Sequence, residues 1–317
     1  MGLKGLNILV TGGTGFIGSH LAKRLVEKQA SVIVPYQSIN PKSYFFKEGL
    51  DKKVILVQKD LKNFKRTLEI VTKYEINLIY HLAAQSIVTT AYHNPVETFE
   101  TNIMGTVNVL EAARLYGKVQ GVIVASSDKA YGKIPKASEK EPLSGDHPYE
   151  ASKAAADFIA RTYFKTYNLP VSVTRFGNVY GEGDINFSRI IPGIMKSIIK
   201  GEILYVRSDG KFVRDYVYVG DIINSLILLG KNINKIKGEA FNISSNENLS
   251  VIQVIKKVSD MLDIKILYRI MDNTVNEIPV QSINYRKIKT QLGWKPKYDF
   301  STTIGNIYNW YKDYFAV

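Results

Sequence analysis

The 317-residue sequence predicts an α/β fold, a doubly wound parallel sheet followed by a smaller C-terminal α/β substrate-binding part. Two observations predict it. Short apolar runs alternate with helix-periodic segments through the first half, and parallel strands need a helix to carry the chain back. Beyond Arg175 that alternation breaks into glycine-punctuated loops and short strand-like pieces. The expected division is 1–175, with a return segment near 219–235, and 176–317.

The stretch from Leu6 to Leu25, LNILVTGGTGFIGSHLAKRL, opens the sheet. Apolar Leu6, Ile8, Leu9 and Val10 read as a buried strand. Glycines follow, and then Phe16, Ile17, Leu21 and Leu25 recur at helical spacing. Gly12, Gly15 and Gly18 fall three apart. Such a turn lets backbone amides approach a pyrophosphate, with the positive end of the next helix aimed at it. This predicts a dinucleotide-binding Rossmann domain.

The next strands are Ser31–Val34, Val54–Val57 and Leu78–Leu82. A long helix is expected from about Pro95 to Tyr116, closed by Gly117. Val119–Ala125, a helix over Pro148–Tyr167 and Val171–Arg175 complete the sheet. Gly177, Gly181 and Gly183 then mark a loop, Ile190–Ile199 reads as helix, and Leu204–Val206, Asp215–Val219 and Ala240–Ile243 read as short strands of the second part. The helix after Asp221 is expected to return to the first domain.

Composition is globular, at 45% hydrophobic and 11% aromatic. The absence of cysteine excludes disulfides, thiol nucleophiles and Cys-ligated metal. His20, His81, His93 and His147 show no metal-ligand spacing, so no metal is expected. No leader and no membrane-length apolar run is read, which predicts a cytoplasmic protein. The net charge of +13 is scattered among acids rather than blocked. It reads as solvated surface suited to a doubly phosphorylated small molecule, not as a nucleic-acid footprint.

Strands of such sheets deliver functional groups at their carboxyl ends. The fifth ends in Ser126-Ser127-Asp128-Lys129, and the helix downstream carries Tyr149 and Lys153. Four apart, these two share a helix face, where an ammonium can favour an ionised phenol and so make it a base. Tyr285/Lys289 and Tyr308/Lys312 have the same spacing but read as surface helix. Only Tyr149 follows the strand that presents Ser127.

Taken together, Gly12-x-x-Gly15-x-x-Gly18, Asp60-Leu61, His81-Leu82-Ala83-Ala84, Asn102, Ser127, Tyr149-x-x-x-Lys153, Arg175-x-x-Asn178-x-Tyr180-Gly181, Arg214-Asp215-Tyr216-Val217-Tyr218-Val219 and Leu292-Gly293-Trp294-Lys295-Pro296 resemble the extended short-chain dehydrogenase/reductases. The likeness is to their nucleotide-sugar 4-epimerase and 4,6-dehydratase branch, over nearly the whole chain. It implies an NAD-dependent enzyme. Gly12, Gly15, Phe16, Ile17, Gly18, Asp60, Leu61, Ala83, Ala84, Asn102 and Lys153 are expected on the cofactor. Tyr149 is the implied base, Lys153 lowers its pKa, and Ser127 binds the reacting oxygen. Asn178 and Arg214 resemble diphosphate-gripping residues; Gln85, Arg189 and Gln281 are expected on the substrate with them, Gln281 near the position that limits its size.

Three points stay open at this level. The acid that NAD-selective members place after strand two is missing from Val34-Pro35-Tyr36-Gln37-Ser38, so NAD is expected with NADP as the alternative. Asp128 stands where dehydratases keep an acid, but Lys129 replaces the common glutamate base; the pair also reads as an ion pair at the pocket rim. Ser-Asp-Lys and Asn276-Glu277 resemble CDP-glucose 4,6-dehydratases, while Arg-Asp-Tyr-Val-Tyr-Val resembles UDP-hexose 4-epimerases. The expectation is 4-epimerisation of a UDP-hexose or UDP-N-acetylhexosamine, with 4,6-dehydration as the alternative and a non-catalytic dinucleotide- or RNA-binding relative as a remote one. The resemblance also implies a homodimer through the helices near 95–116 and 148–167, for which Val107, Leu110, Ala154, Phe158 and Ala160 supply apolar surface or pack on the sheet.

Overall fold

The computed structural model describes residues 2–272 and 278–316, so Asn276-Glu277 lies outside the described residues. The chain runs β1 (Asn7–Thr11), α1 (Phe16–Glu27), β2 (Ser31–Tyr36), α2 (Tyr44–Lys47), β3 (Ile55–Gln58), α3 (Phe64–Lys73), β4 (Leu78–His81), α4 (Val88–His93), α5 (Pro95–Phe99), α6 (Gly105–Tyr116), β5 (Gly121–Ser127), α7 (Pro148–Tyr167) and β6 (Val171–Phe176). It continues through β7 (Asn178–Tyr180), α8 (Ile190–Lys200), β8 (Leu204–Val206), β9 (Val213–Tyr218), α9 (Val219–Lys231), α10 (Ile233–Ile236), β10 (Ala240–Ile243), β11 (Asn248–Ser250), α11 (Val251–Leu262), β12 (Tyr268–Ile270), β13 (Val280–Gln281), α12 (Arg286–Leu292) and α13 (Phe300–Phe315).

Among the described residues, seven strands form one parallel sheet in the order β10-β6-β5-β4-β1-β2-β3. Strand alternation sends Ile8 and Val10 to one face, where Leu21 and Leu25 of α1 and Ile222, Leu226 and Leu229 of α9 cover them. Leu9 points to the other face, against Ile79, Val109, Leu110 and Val124. Each face is thus buried beneath helices, as a Rossmann-type sheet requires. The chain reverses direction across the sheet between β1 and β4, which leaves a crevice beyond their carboxyl ends.

Two expectations change. Ala240–Ile243, read with the second part, pairs with β6 from Ala240↔Val173 to Ile243↔Phe176 and is an edge strand of the main sheet. All four of its residues are buried, so its place is set by what covers it rather than by sequence order. The helix expected over 95–116 is broken by one π-helical turn, Glu100–Met104. Asn102 lies in it and spends its side chain on the loop after β4 and on α7: Oδ1 accepts from Gln85 N at 2.8 Å, and Nδ2 donates to Gln85 O at 3.0 Å and Ser152 Oγ at 2.9 Å.

The remaining strands build a smaller sheet, β11-β9-β13 with β7 also on β9, beside the β12-β8 pair. Its core holds Ile194, Met195, Val254, Val258 and Ile304, and Tyr180 stacks on Phe300 with ring centroids 4.5 Å apart. β7 leaves β6 directly, so Asn178 and β9 come to the rim of the main crevice.

Candidate active site

One cleft of about 1610 Å3 runs along the carboxyl ends of the strands between the two sheets. At one end lie Gly12, Gly15, Phe16, Ile17 and Gly18. Gly12 has φ +70°, and a Cβ there would sit 2.8 Å from Ala83 N; a Cβ on Gly18 would sit 2.1 Å from Gly12 O. Both glycines are therefore needed to close the turn on β4 and seat α1 on it. At Gly15 a Cβ would meet only Gly12 O at 3.3 Å, and as N-cap Gly15 brings no side chain to the first-turn amides. An anion can reach those amides unobstructed, so the turn fits a pyrophosphate. Asp60, Leu61, Ala83 and Ala84 line the same end with Tyr36, Gln37 and Ser38. Asp60 Oδ1 accepts from Gln37 Nε2 at 2.6 Å, so the carboxylate just after β3 touches the place where β2 lacks one.

At the middle of the cleft β5 delivers Ser127, Asp128 and Lys129, facing Tyr149 and Lys153 of α7. Ser127 Oγ donates to Asp128 Oδ1 at 2.9 Å and accepts from Lys129 N at 3.2 Å. Asp128 is 4% exposed, and its Oδ2 is buried without a hydrogen-bond partner. The Tyr149 phenol is pushed above its ordinary value by burial and further by the Asp128 charge, against a hydrogen bond with Ser127. Lys153, expected to acidify it, is not among the groups that set this shift. Lys153 Nζ donates to Ala125 O at 2.5 Å, and burial pulls the ammonium down to about 8 against the opposing charge of Asp157. Asp128 and Lys129 form no ion pair among the described residues; Lys129 Nζ donates to Gln281 Oε1 at 2.9 Å.

Asn178, Arg189 and Arg214 line the far end. Asn178 Nδ2 is buried without a partner, a donor available to a polar ligand. Arg189 is held by Asp184 Oδ2 at 3.0 Å, and Arg214 donates to Val213 O at 2.9 Å and lies over the Phe212 ring. The two acids near Arg214 in sequence have other partners: Asp215 takes Ser244 Oγ at 2.6 Å and Ile283 N at 2.8 Å, and Asp221 takes the amides of Lys297 and Tyr298.

The family described as GDP-mannose 4,6 dehydratase matches residues 9–307. The chain belongs to this family. Its relatives are nucleotide-sugar dehydratases and epimerases, and the protein is an enzyme of that class. It is 27% identical to dTDP-glucose 4,6-dehydratase of Haemophilus influenzae, over 96% of this chain and 98% of that one. The structure of UDP-glucose 4-epimerase from Thermotoga maritima with UDP-glucose superimposes with a TM-score of 0.88 at 27% identity, covering 98% and 100% of the two chains. DesIV, a dTDP-glucose 4,6-dehydratase from Streptomyces venezuelae with NAD and TYD bound, gives 0.87 at 27%, covering 97% of each.

Within this dehydratase-family cleft three expected contacts do not reach the wall. Gln85 folds back on Ile87, accepting from its N at 2.6 Å and donating to its O at 3.1 Å. Asn102, 2% exposed, is consumed by the π turn described above. Gln281 sits behind Lys129 and so does not limit the size of what the cleft admits. Other residues matter that the sequence reading passed over. Thr11 Oγ1 accepts the Leu82 and Ala83 amides and donates to His81 Nδ1 at 2.8 Å; His81 Nε2 then donates to Thr106 Oγ1 at 3.0 Å. That chain ties the glycine turn to the helix beside α7. Asp157, one turn after Lys153, was detectable from spacing.

Proposed function

We propose that the protein oxidises the C4 carbinol of a nucleotide-diphosphate sugar and then removes water across C5 and C6, a 4,6-dehydration. The observation that carries this is the buried, unpartnered Oδ2 of Asp128 beside Ser127. Leaving such an oxygen unsatisfied costs about 1–3 kcal/mol or more, a cost a simple epimerase has no use for. Tyr149, in its ionised form, takes the C4 hydroxyl proton while Ser127 hydrogen-bonds the same oxygen. Bound NAD supplies the hydride acceptor at C4 and the hydride returned to the sugar. Asp128 protonates the departing C6 hydroxyl, and Lys129 takes the C5 proton. Asp128 has to carry a proton, and Lys129 has to have given one up, for these two steps to occur. Lys153 holds the nicotinamide end, while Asn178, Arg189 and Arg214 hold the diphosphate.

The second reading, 4-epimerisation as the sequence suggests, is favoured by Lys129 being hydrogen-bonded to Gln281 and not a ready carboxylate base. It needs only Tyr149, Ser127 and Lys153. Product mass separates the two: loss of water supports dehydration, and unchanged mass with an inverted C4 in NMR overturns it. The NAD assignment draws on the neighbour crystallised with NAD and on the Gln37–Asp60 pair beside the turn. Mass spectrometry of the released cofactor tests it, a phosphorylated dinucleotide giving NADP instead.

Helices α4 to α7 also support a homodimer. Leu110 and Ala160 are buried on the sheet, so they do not serve that face. Tyr92, Val96, Phe99, Met104 and Phe158 remain exposed.

A further inference from the structure

Gln281 lies behind the cleft wall, yet in contact with its chemistry. β13 pairs with β9, placing Gln281 opposite Arg214, and the side chain is 2% exposed. Its neighbours are fastened to the sheet that carries the site: Ala137 N donates to Ser282 O, Asn284 N donates to Ala137 O at 2.8 Å, and Ile283 N donates to Asp215. The carboxamide is therefore held at a fixed depth. Oε1 accepts from Lys129 Nζ at 2.9 Å, and Nε2 is buried with no partner among the described residues. Asp128 on the same turn, Tyr149 and Lys153 on α7, Arg189 and Arg214 are among the ionisable groups that share the cleft with Lys129.

A carboxamide differs from the two groups of similar shape that could stand there. It accepts through oxygen and donates through nitrogen, whereas a carboxylate only accepts and a thioether does neither strongly. Lysine acting as a base keeps one need through both its states. The ammonium and the amine each carry N–H groups that want an acceptor, and the amine's single lone pair must stay free for the C5 proton. A neutral carboxamide oxygen accepts from Lys129 in either state, without the fixed negative charge that would lock Lys129 protonated.

We propose that Gln281 is a positioning residue that holds Lys129 for removal of the C5 proton, its Oε1 accepting an N–H from the ammonium and from the amine so that the amine lone pair is left for the sugar. The inference rests on the dehydration reading. It accounts for a neutral acceptor, rather than a carboxylate, buried against a lysine in the cleft.

The test uses the full chain with NAD and a nucleotide sugar in D2O, with Gln281→Glu and Gln281→Met as variants. Ketone formation is followed by reduced-cofactor absorbance, C5 deuterium by NMR, and folding by the melting midpoint. Both variants are expected to form ketone with KM near that of the unaltered protein, while C5 exchange and water loss fall on the order of a hundredfold. If Gln281→Met melts early, the near-isosteric Gln281→Glu decides. Unaltered C5 exchange in the folded variants overturns the role of Gln281, as does a fall in ketone formation matching the fall in exchange. An unaltered protein that inverts C4 and never exchanges C5 overturns the dehydration reading itself.

Discussion

Lys153 shows how burial rather than proximity tunes this site. Its ammonium is drawn down to about 8 because water is excluded, and Asp157 one helical turn away limits the fall. Asp157 in turn accepts from Arg175 Nε at 2.7 Å and NH2 at 3.0 Å, with both side chains fully buried. Asp157→Asn should cost about 3–5 kcal/mol of stability, because it leaves the Arg175 charge without its partner, and denaturant melts would measure it. Tyr149→Phe should leave folding intact and lower ketone formation by about 10²–10⁴-fold, followed as reduced-cofactor absorbance. Tyr149, Lys153 and Ser127 were legible in the sequence because one helix turn and one strand end determine where they point. Gln281 was not legible as a partner of Lys129, since 152 residues separate them and only the β13–β9 pairing joins them. The burial that raises the Tyr149 phenol was not legible either, since sequence spacing shows which charge is near but not how much water is gone.

At the scale of elements, the glycine turn is the most constrained piece. Gly18→Ala would drive a Cβ to 2.1 Å from Gly12 O, a backbone atom that cannot swing aside, so α1 must shift off the turn. We expect a loss of about 1–3 kcal/mol and of dinucleotide binding, read by thermal melts and titration calorimetry. This element was readable because strand, glycines and helix are contiguous. The π turn was not, since the apolar period of residues 95–116 continues across it, and the contacts Asn102 makes from it are to residues far away in sequence, such as Ser152. β10 was misplaced for the same kind of reason: four buried residues specify a strand but not its sheet. On the outer face of α7, Phe158 is 65% exposed. Phe158→Glu should convert the proposed homodimer to a monomer in light scattering, and an unchanged mass would remove Phe158 from the interface.

Over the whole molecule, buried titratable groups set opposing pH dependences. His20 bridges α1 and the loop after β7: Nε2 bonds Glu182 O at 2.8 Å and the ring stacks on Tyr44 at 3.9 Å. Burial holds His20 neutral down to about 4, whereas in the unfolded chain it protonates near about 6.5. Below that value the unfolded chain binds the extra proton, so this group's contribution is lost as pH falls from 6.5 to 4, at up to about 1.4 kcal/mol per pH unit. Asp215 acts in the other direction. Burial raises its carboxyl to about 7, so between about 4 and 7 the folded chain keeps a proton that the unfolded chain has released, and stability falls as pH rises. Urea melts from pH 4 to 8 separate the two. His20→Gln retains a donor for Glu182 O and should flatten the acid limb alone, while Asp215→Asn should flatten the limb between about 4 and 7. A variant that shifts the whole curve vertically without changing its slope would show that the group's titration is not what couples folding to pH.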